Sequence, residues 1–237
     1  MFAFRETVDL DPGAAAAPRV EVAFTDGTLD LQGHAPGFAD SLARLEEHAG
    51  VRFARLTQVH GDAVHLVDTP PTAGPGEEVP TADAQVTDLP GVGLMVRVAD
   101  CVPVVLVGRA GERAVLGVAH AGRRGVELGV VGRTVEAMRR RGATGLRAWV
   151  GPHVCGRCYE VPAAMREEVA ARVPSTRATT RQGTAALDLG AGVVAQLHAL
   201  DVATATVDRC TLEDPGLHSY RRDGAAAGRF AGLVWTR

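Results

Sequence analysis

Between residues 93 and 119 the chain carries three apolar runs, Gly93–Val98, Val102–Val107 and Ala114–Ala119, each rich in valine and separated by short breaks. Runs this short and this β-branched, bounded by turn residues, suit strands buried on both faces. They predict a sheet core that other elements must cover.

The flanking sequence supplies those elements. Two β-like runs, Arg19–Phe24 and Leu29–Gln32, surround a turn at Gly27 and predict a peripheral hairpin, preceded by the alanine–proline stretch Gly13–Pro18. Phe38, Leu42 and Leu45 fall at helical spacing and predict a surface helix over Phe38–Ala49. The Pro- and Gly-rich segment Pro70–Pro80 predicts a mobile loop. Leu128, Val131, Val135 and Met138 predict a helix over Glu127–Arg141, ending in arginines and Gly142. Strands at Leu146–Val150, Thr204–Val207 and Phe230–Trp235, with helices at Ala163–Arg172 and Ala186–Leu200, complete the pattern. The alternation predicts an α/β fold: one domain over residues 1–237, with layered mixed β-sheets flanked by helices.

Composition narrows the chemistry. All 25 Lys+Arg residues are arginine, which excludes Schiff-base and P-loop lysine chemistry, and the three serines lie outside any G-x-S-x-G elbow. A formal net charge of -3 argues against nucleic acid as the main partner. No stretch reaches the length of a transmembrane helix and the first residues lack a secretory pattern, so the sequence predicts a soluble, cytoplasmic protein with no membrane partner. Four cysteines are too few for a disulfide scaffold in a chain of 237 residues.

Three metal-ligand side chains, His60, Cys101 and His120, each end a hydrophobic run and precede small or turn-forming residues. Two imidazoles and a thiolate are a zinc donor set that leaves a fourth position for water. The spacings are too long for a local zinc signature, and a His or Cys at a strand end is more often a buried, hydrogen-bonded group. The residues alone favour that second reading and leave the metal one open. Cys155-Gly156-Arg157-Cys158 is either half a zinc knuckle or a redox pair, but only Cys210 remains as a further thiol, so these cysteines read as free. Arg221, Arg222 and Arg229 lie on a glycine-flanked segment suited to a phosphate or carboxylate, and Arg123 and Arg124 directly follow the His120 turn.

Taken together, Thr57-Gln58-Val59-His60-Gly61, Ala82-Asp83-Ala84, Ala99-Asp100-Cys101-Val102-Pro103-Val104, Ala119-His120-Ala121-Gly122-Arg123-Arg124-Gly125, Gly151-Pro152, Cys158-Tyr159-Glu160-Val161 and Ser219-Tyr220-Arg221-Arg222-Asp223 form an ordered set. This set resembles the polyphenol oxidase/purine nucleoside phosphorylase family, also called laccase-domain or peptidoglycan-editing-factor proteins. The resemblance implies zinc held by His60, Cys101 and His120, phosphorolysis of adenosine, inosine and methylthioadenosine, and deamination of adenosine. The chain departs from the family pattern in three places. The T-R-x-G-G-x-S segment is reduced to Thr25-Asp26-Gly27, Arg123 stands where a tryptophan is usual, and Val193 where an asparagine is.

For deamination, a zinc centre would activate the water that attacks purine C6, with Asp83 or Asp100 as proton shuttle beside Cys101 and His120. For phosphorolysis, Gln58, Arg124, Arg222 and Arg229 are the candidates to hold nucleoside and phosphate. Three rivals stay in view. Copper-dependent polyphenol oxidation is disfavoured because eight histidines include no H-x-H pair. An amide hydrolase editing peptidoglycan precursors would use Cys101 as nucleophile and His120 as base. A non-catalytic module would bind nucleosides without turnover. No feature identifies a protein partner.

Overall fold

The computed structural model describes residues 1–10 and 19–237, and the Gly13–Pro18 stretch lies outside them. The valine runs build two sheets that share one apolar interior. The first sheet is formed by β1 (Phe2–Asp9), β2 (Arg19–Thr25), β3 (Arg52–Ala54), β6 (Val92–Val98) and β13 (Phe230–Thr236), in the order β1-β2-β13-β6-β3. The second is formed by β4 (Val64–Leu66), β5 (Ala84–Thr87), β7 (Val102–Ala110), β8 (Arg113–Ala121), β9 (Thr144–Val150) and β12 (Ala203–Thr206), in the order β12-β9-β7-β8-β5-β4. Both mix parallel and antiparallel pairs. A short ribbon, β10 (Arg177–Thr179) with β11 (Ala185–Leu187), stands apart.

Side-chain alternation explains why the central strands are apolar at every position. In β7, Val105 and Val107 face an inner layer shared with Val22, Phe24, Leu94 and Val234 of the first sheet. Val102, Val104 and Leu106 face the other way, onto a helical layer. That layer consists of α2 (Arg123–Leu128), α3 (Val130–Arg140), α4 (Ala163–Arg172) and α5 (Leu189–His198). On the far side, α1 (Phe38–Ala49) covers the first sheet through Phe38, Leu42 and Leu45. A helix of 12 residues is marginal alone. Burying each of these side chains contributes roughly 1.5–3 kcal/mol and holds it in place. The result is a helix–sheet–sheet–helix stack, in agreement with the layered α/β expectation.

Several expected elements differ. Leu29–Gln32 forms no strand and no hairpin with Arg19–Phe24. Leu29 and Leu31 are buried in the layer beneath α1, and β2 pairs instead with β1 and, across the chain, with β13. The three valine runs divide between sheets, with β6 in the first and β7 and β8 in the second. The helix expected over Glu127–Arg141 is two helices. Gly129, at φ 80°, takes a left-handed conformation that ends α2 and starts α3, and leaves Leu128 exposed. Ala186 and Leu187 belong to β11, and α5 begins only after Asp188, whose carboxylate accepts from the Ala191 N–H at 2.8 Å. Residues 70–80 are irregular, as expected. Among the described residues no helix is long and apolar enough to cross a membrane.

Candidate metal centre and its cavity

The loop after β3, the crossing from β6 to β7, and the end of β8 bring His60, Cys101 and His120 together. Their donor atoms all lie within 4.8 Å of one another, with Cys101 Sγ 3.7 Å from His60 Nε2. The two imidazole centroids are 4.7 Å apart and nearly edge-on. Two turns that ordinary residues rarely adopt create this convergence, since His60 has φ 61° and Asp100 φ 84°. His60 is itself one of the donors, and Asp100 directly precedes another, Cys101.

Asp83 holds the first turn. Its fully buried carboxylate accepts from the N–H groups of Val59, His60 and Gly61 at 3.2, 2.8 and 2.7 Å, and pairs with His120 Nδ1 at 2.8 Å. Burial pushes this carboxyl up, but the hydrogen bonds from His120, Gly61 and Val59 outweigh it and hold Asp83 below its ordinary value. An ionised Asp83 requires a proton on His120 Nδ1, which leaves Nε2 as the nitrogen for a metal. A tetrahedral zinc with sulfur at about 2.3 Å and nitrogen at about 2.0–2.1 Å sets its donors roughly 3.3–3.6 Å apart. The residues present fit zinc. Gly122 makes the fit possible, because a Cβ there would stand 2.6 Å from His60 Cδ2 and 3.2 Å from Cys101 Sγ.

Charge in the group is also arranged. Burial raises the Cys101 thiol, but the charge and hydrogen bonding of His120, then His60, bring it well below its ordinary value. Burial lowers His120, and the Cys101 charge with the Asp83 hydrogen bond lifts it above its own. The Cys101 sulfur and the His120 ring therefore shift one another's titration in opposite directions.

The group opens into a cavity of about 780 Å³ lined also by Arg97, Arg124, Tyr159, Arg221 and Arg229. Arg97 is mostly buried and donates to the carbonyls of Leu31 and Leu56, and burial lowers its guanidinium to about 10, with Arg55 and Arg229 adding to the shift. Arg229 donates to the carbonyls of Ala227 and Gly228, both at 2.9 Å. The Arg221 guanidinium lies 4.9 Å from the Tyr159 ring centroid. Among the described residues no carboxylate pairs with Arg97, Arg124, Arg221 or Arg229, whereas Arg123 pairs with Glu127 at 2.7 Å.

The sequence candidates separate on this geometry. His60, Cys101, His120, Asp100, Gln58, Arg124 and Arg229 line the cavity; Asp83 and Arg222 do not. Gln58 gives both ends of its amide to the Arg97 backbone, each at 2.8 Å, and so braces the His60 loop against β6. Asp100 accepts from Thr211 Oγ1 at 2.5 Å and from the Arg221 N–H at 2.6 Å. Arg222 points away, donating to the carbonyls of Thr211, Asp214 and Leu217 and pairing with Asp223. Its neighbour Arg221 takes the cavity position.

Sequence reasoning assigned no role to Arg97 or Tyr159. A lone charge inside the apolar β6 run was the available signal for Arg97. For Tyr159 the signal was its place in Cys158-Tyr159-Glu160-Val161. Cys155, Cys158 and Cys210, read above as free thiols, lie with Glu213 in a second group of close donor atoms.

Over residues 35–237 the sequence matches the family described as multi-copper polyphenol oxidoreductase laccase. The chain belongs to this family. Its relatives include a protein of Mycobacterium tuberculosis named purine nucleoside phosphorylase, 47% identical over 204 residues that cover 83% of this chain and 78% of the relative. Another of that name, from Streptomyces coelicolor, is 43% identical over 226 residues, covering 94% and 91%. The fold matches the crystal structure of the hypothetical protein YfiH of Bacillus licheniformis with a TM-score of 0.80 at 20% identity, covering 94% of this chain and 98% of that one. Protein NMB0706 of Neisseria meningitidis gives 0.76 at 28% identity, covering 97% and 98%.

Proposed function

We propose that this chain is a zinc-dependent enzyme that cleaves adenosine, inosine and methylthioadenosine with phosphate, and deaminates adenosine at the same centre. The observation that carries this reading is the cavity itself, in which a His–Cys–His donor group faces four guanidinium groups that have no carboxylate partner among the described residues. The names of the relatives agree with it. The volume suits a nucleoside with an anion beside it.

Phosphorolysis breaks the bond between ribose C1′ and the purine nitrogen and forms one from C1′ to a phosphate oxygen, while the base leaves with a proton. Arg97 and Arg229 hold the phosphate and offset its charge, and a low-dielectric pocket strengthens both interactions. Val154 and Leu189 give the base an apolar surface. Burial and the Cys101 charge push the Tyr159 hydroxyl up, so it remains a hydrogen-bond donor. His60, Cys101 and His120 would hold the zinc, which would supply Lewis acidity and activate a water for deamination. Asp83 is a positioning residue here: its oxygens are committed and its carboxyl stays ionised. Asp100, which accepts from Thr211 and the Arg221 N–H, lines the site beside Cys101 and is the carboxylate placed to move a proton there.

Adenosine incubated with zinc-replete protein tests this, read by chromatography with and without phosphate. Phosphate-dependent adenine and phosphate-independent inosine, both lost in Cys101→Ala together with the zinc of this centre, support the reading. Zinc-replete protein that forms neither product overturns it.

The lowered Cys101 thiol beside His120 favours one second reading, a cysteine amide hydrolase. Zinc would occupy the sulfur that this chemistry needs. Rapid alkylation of Cys101 in a metal-free, active enzyme would therefore select the hydrolase.

A further inference from the structure

We propose that Cys155, Cys158, Cys210 and Glu213 form a second, structural zinc site that fastens the wall of the cavity. The chain has four cysteines in 237 residues. One belongs to the His60–Cys101–His120 group, and the other three converge with Glu213 from two separate segments, their donor atoms all within 4.8 Å of one another. Tetrahedral zinc with thiolates at about 2.3 Å places sulfurs roughly 3.8 Å apart, so a small contraction seats the ion.

The backbone has the form such a site needs. Cys158 and Tyr159 both donate their N–H groups to the Cys155 carbonyl, at 2.9 and 3.0 Å, closing a tight turn that brings the two thiols of the C-x-x-C segment together. Cys210 is delivered by a bridge between its segment and His153, in which the Arg209 carbonyl accepts from His153 and the His153 carbonyl accepts from Thr211. The Cys155 N–H donates to Cys210 Sγ at 3.4 Å, a bond that favours a thiolate. Glu213 lies within the following turn, its N–H donated to the Cys210 carbonyl at 3.2 Å.

Charge balance points the same way. Three thiolates and a carboxylate carry four negative charges, of which zinc offsets two. Arg181 already sits on this group, paired with the Glu213 carboxylate and 3.7 Å from Cys158 Sγ. A disulfide accounts for these residues less well, because any one bridge strands the third thiol. A reactive dithiol of Cys155 and Cys158 likewise leaves the convergence of Cys210 and Glu213 on the pair without a role.

A sulfur-rich set with no open position is structural, and its location says what it secures. Cys158 precedes Tyr159, which lines the cavity, and Cys210 precedes Thr211, which bonds Asp100 beside Cys101. The ion would clamp the segment after β9 to the segment after β12, fixing one wall of the site.

The test is elemental analysis on the full chain, and it does not depend on the reaction proposed for the cavity. Wild type is expected to hold about two zinc ions per chain and Cys101→Ser about one. Titrating Cys101→Ser with a mercurial should release that zinc as three thiols react, and cobalt in its place should show thiolate charge-transfer absorption. This variant leaves the second site intact, so a folding failure of cysteine-to-serine changes there cannot blur the result. Cys101→Ser that is folded, takes up no zinc and has three freely titrating thiols would overturn the proposal, as would a disulfide found by mass spectrometry.

Discussion

Asp83 and His120 share one hydrogen bond of 2.8 Å, and through it the carboxylate that shapes the His60 turn also fixes which nitrogen His120 offers to a metal. The pair couples the backbone of one candidate ligand, His60, to the tautomer of another, His120. No nearby group can replace Asp83, because four donors converge on a fully buried carboxylate.

Asp83→Asn tests that coupling. An amide in this place puts N–H against N–H on at least one of the three backbone donors and loses the charge that orients His120. Zinc affinity should fall about 10–100-fold, as for other partners that orient a ligand. Chelator competition measures it, and unchanged affinity would show that His120 is oriented without Asp83.

Gly122→Ala adds only a methyl group, yet that methyl would sit 2.6 Å from His60 Cδ2. The His60 ring must turn away, so zinc content should drop while the circular dichroism spectrum stays that of the wild type. Full zinc occupancy in this variant would mean the turn has more slack than the geometry allows.

How much of this was legible in the sequence depends on whether the signal was local. The strands β7 and β8 and the helix α1 were, because burial on two faces or one writes its own period into the residues. The partner of β2 was not: β13 lies two hundred residues away, and local turn residues at Gly27 suggested a hairpin in its place. Gly129 was visible as a residue, but nothing nearby announced its positive φ. The candidate ligands His60, Cys101 and His120 were legible because each ends a short apolar run, whereas the positioning role of Asp83 depended on which backbone groups would meet it. Arg221 and Arg222 are adjacent on a single turn of helix, α6 (Tyr220–Asp223), so their side chains point in different directions and composition cannot say which faces the cavity.

The two kinds of arginine should separate in kinetics. Arg229 lines the cavity with no carboxylate partner among the described residues and donates to two carbonyls, so Arg229→Ala should raise the KM for phosphate at least tenfold and cost less stability than the change at Arg222. Arg222 donates to three carbonyls and pairs with Asp223, so Arg222→Ala should cost about 1–3 kcal/mol of stability with phosphate KM nearly constant. Denaturant melts and initial rates on both variants check this, and the opposite pattern would return the phosphate role to Arg222.

Glu21 governs an acid limb of stability far from the cavity. Its carboxylate is fully buried on β2, accepting from Arg5 Nε and Thr7 Oγ1 at 2.7 Å each, with Arg237 at 3.2 Å. Burial pushes the carboxyl up, but the bonds from Thr7 and Arg5 and the charges of Arg5 and Arg237 outweigh it, so it titrates below its ordinary value in the folded chain. A depressed folded pKa means that the unfolded chain binds the proton first. The stabilisation is therefore complete above the ordinary carboxylate range and is lost as the pH falls through the lower, folded value. Glu21→Gln keeps the shape and removes the titration, so its stability should vary less than that of wild type between pH 5 and about pH 3. Denaturant melts across that window measure the difference, and parallel curves for the two proteins would place the acid sensitivity on other carboxylates.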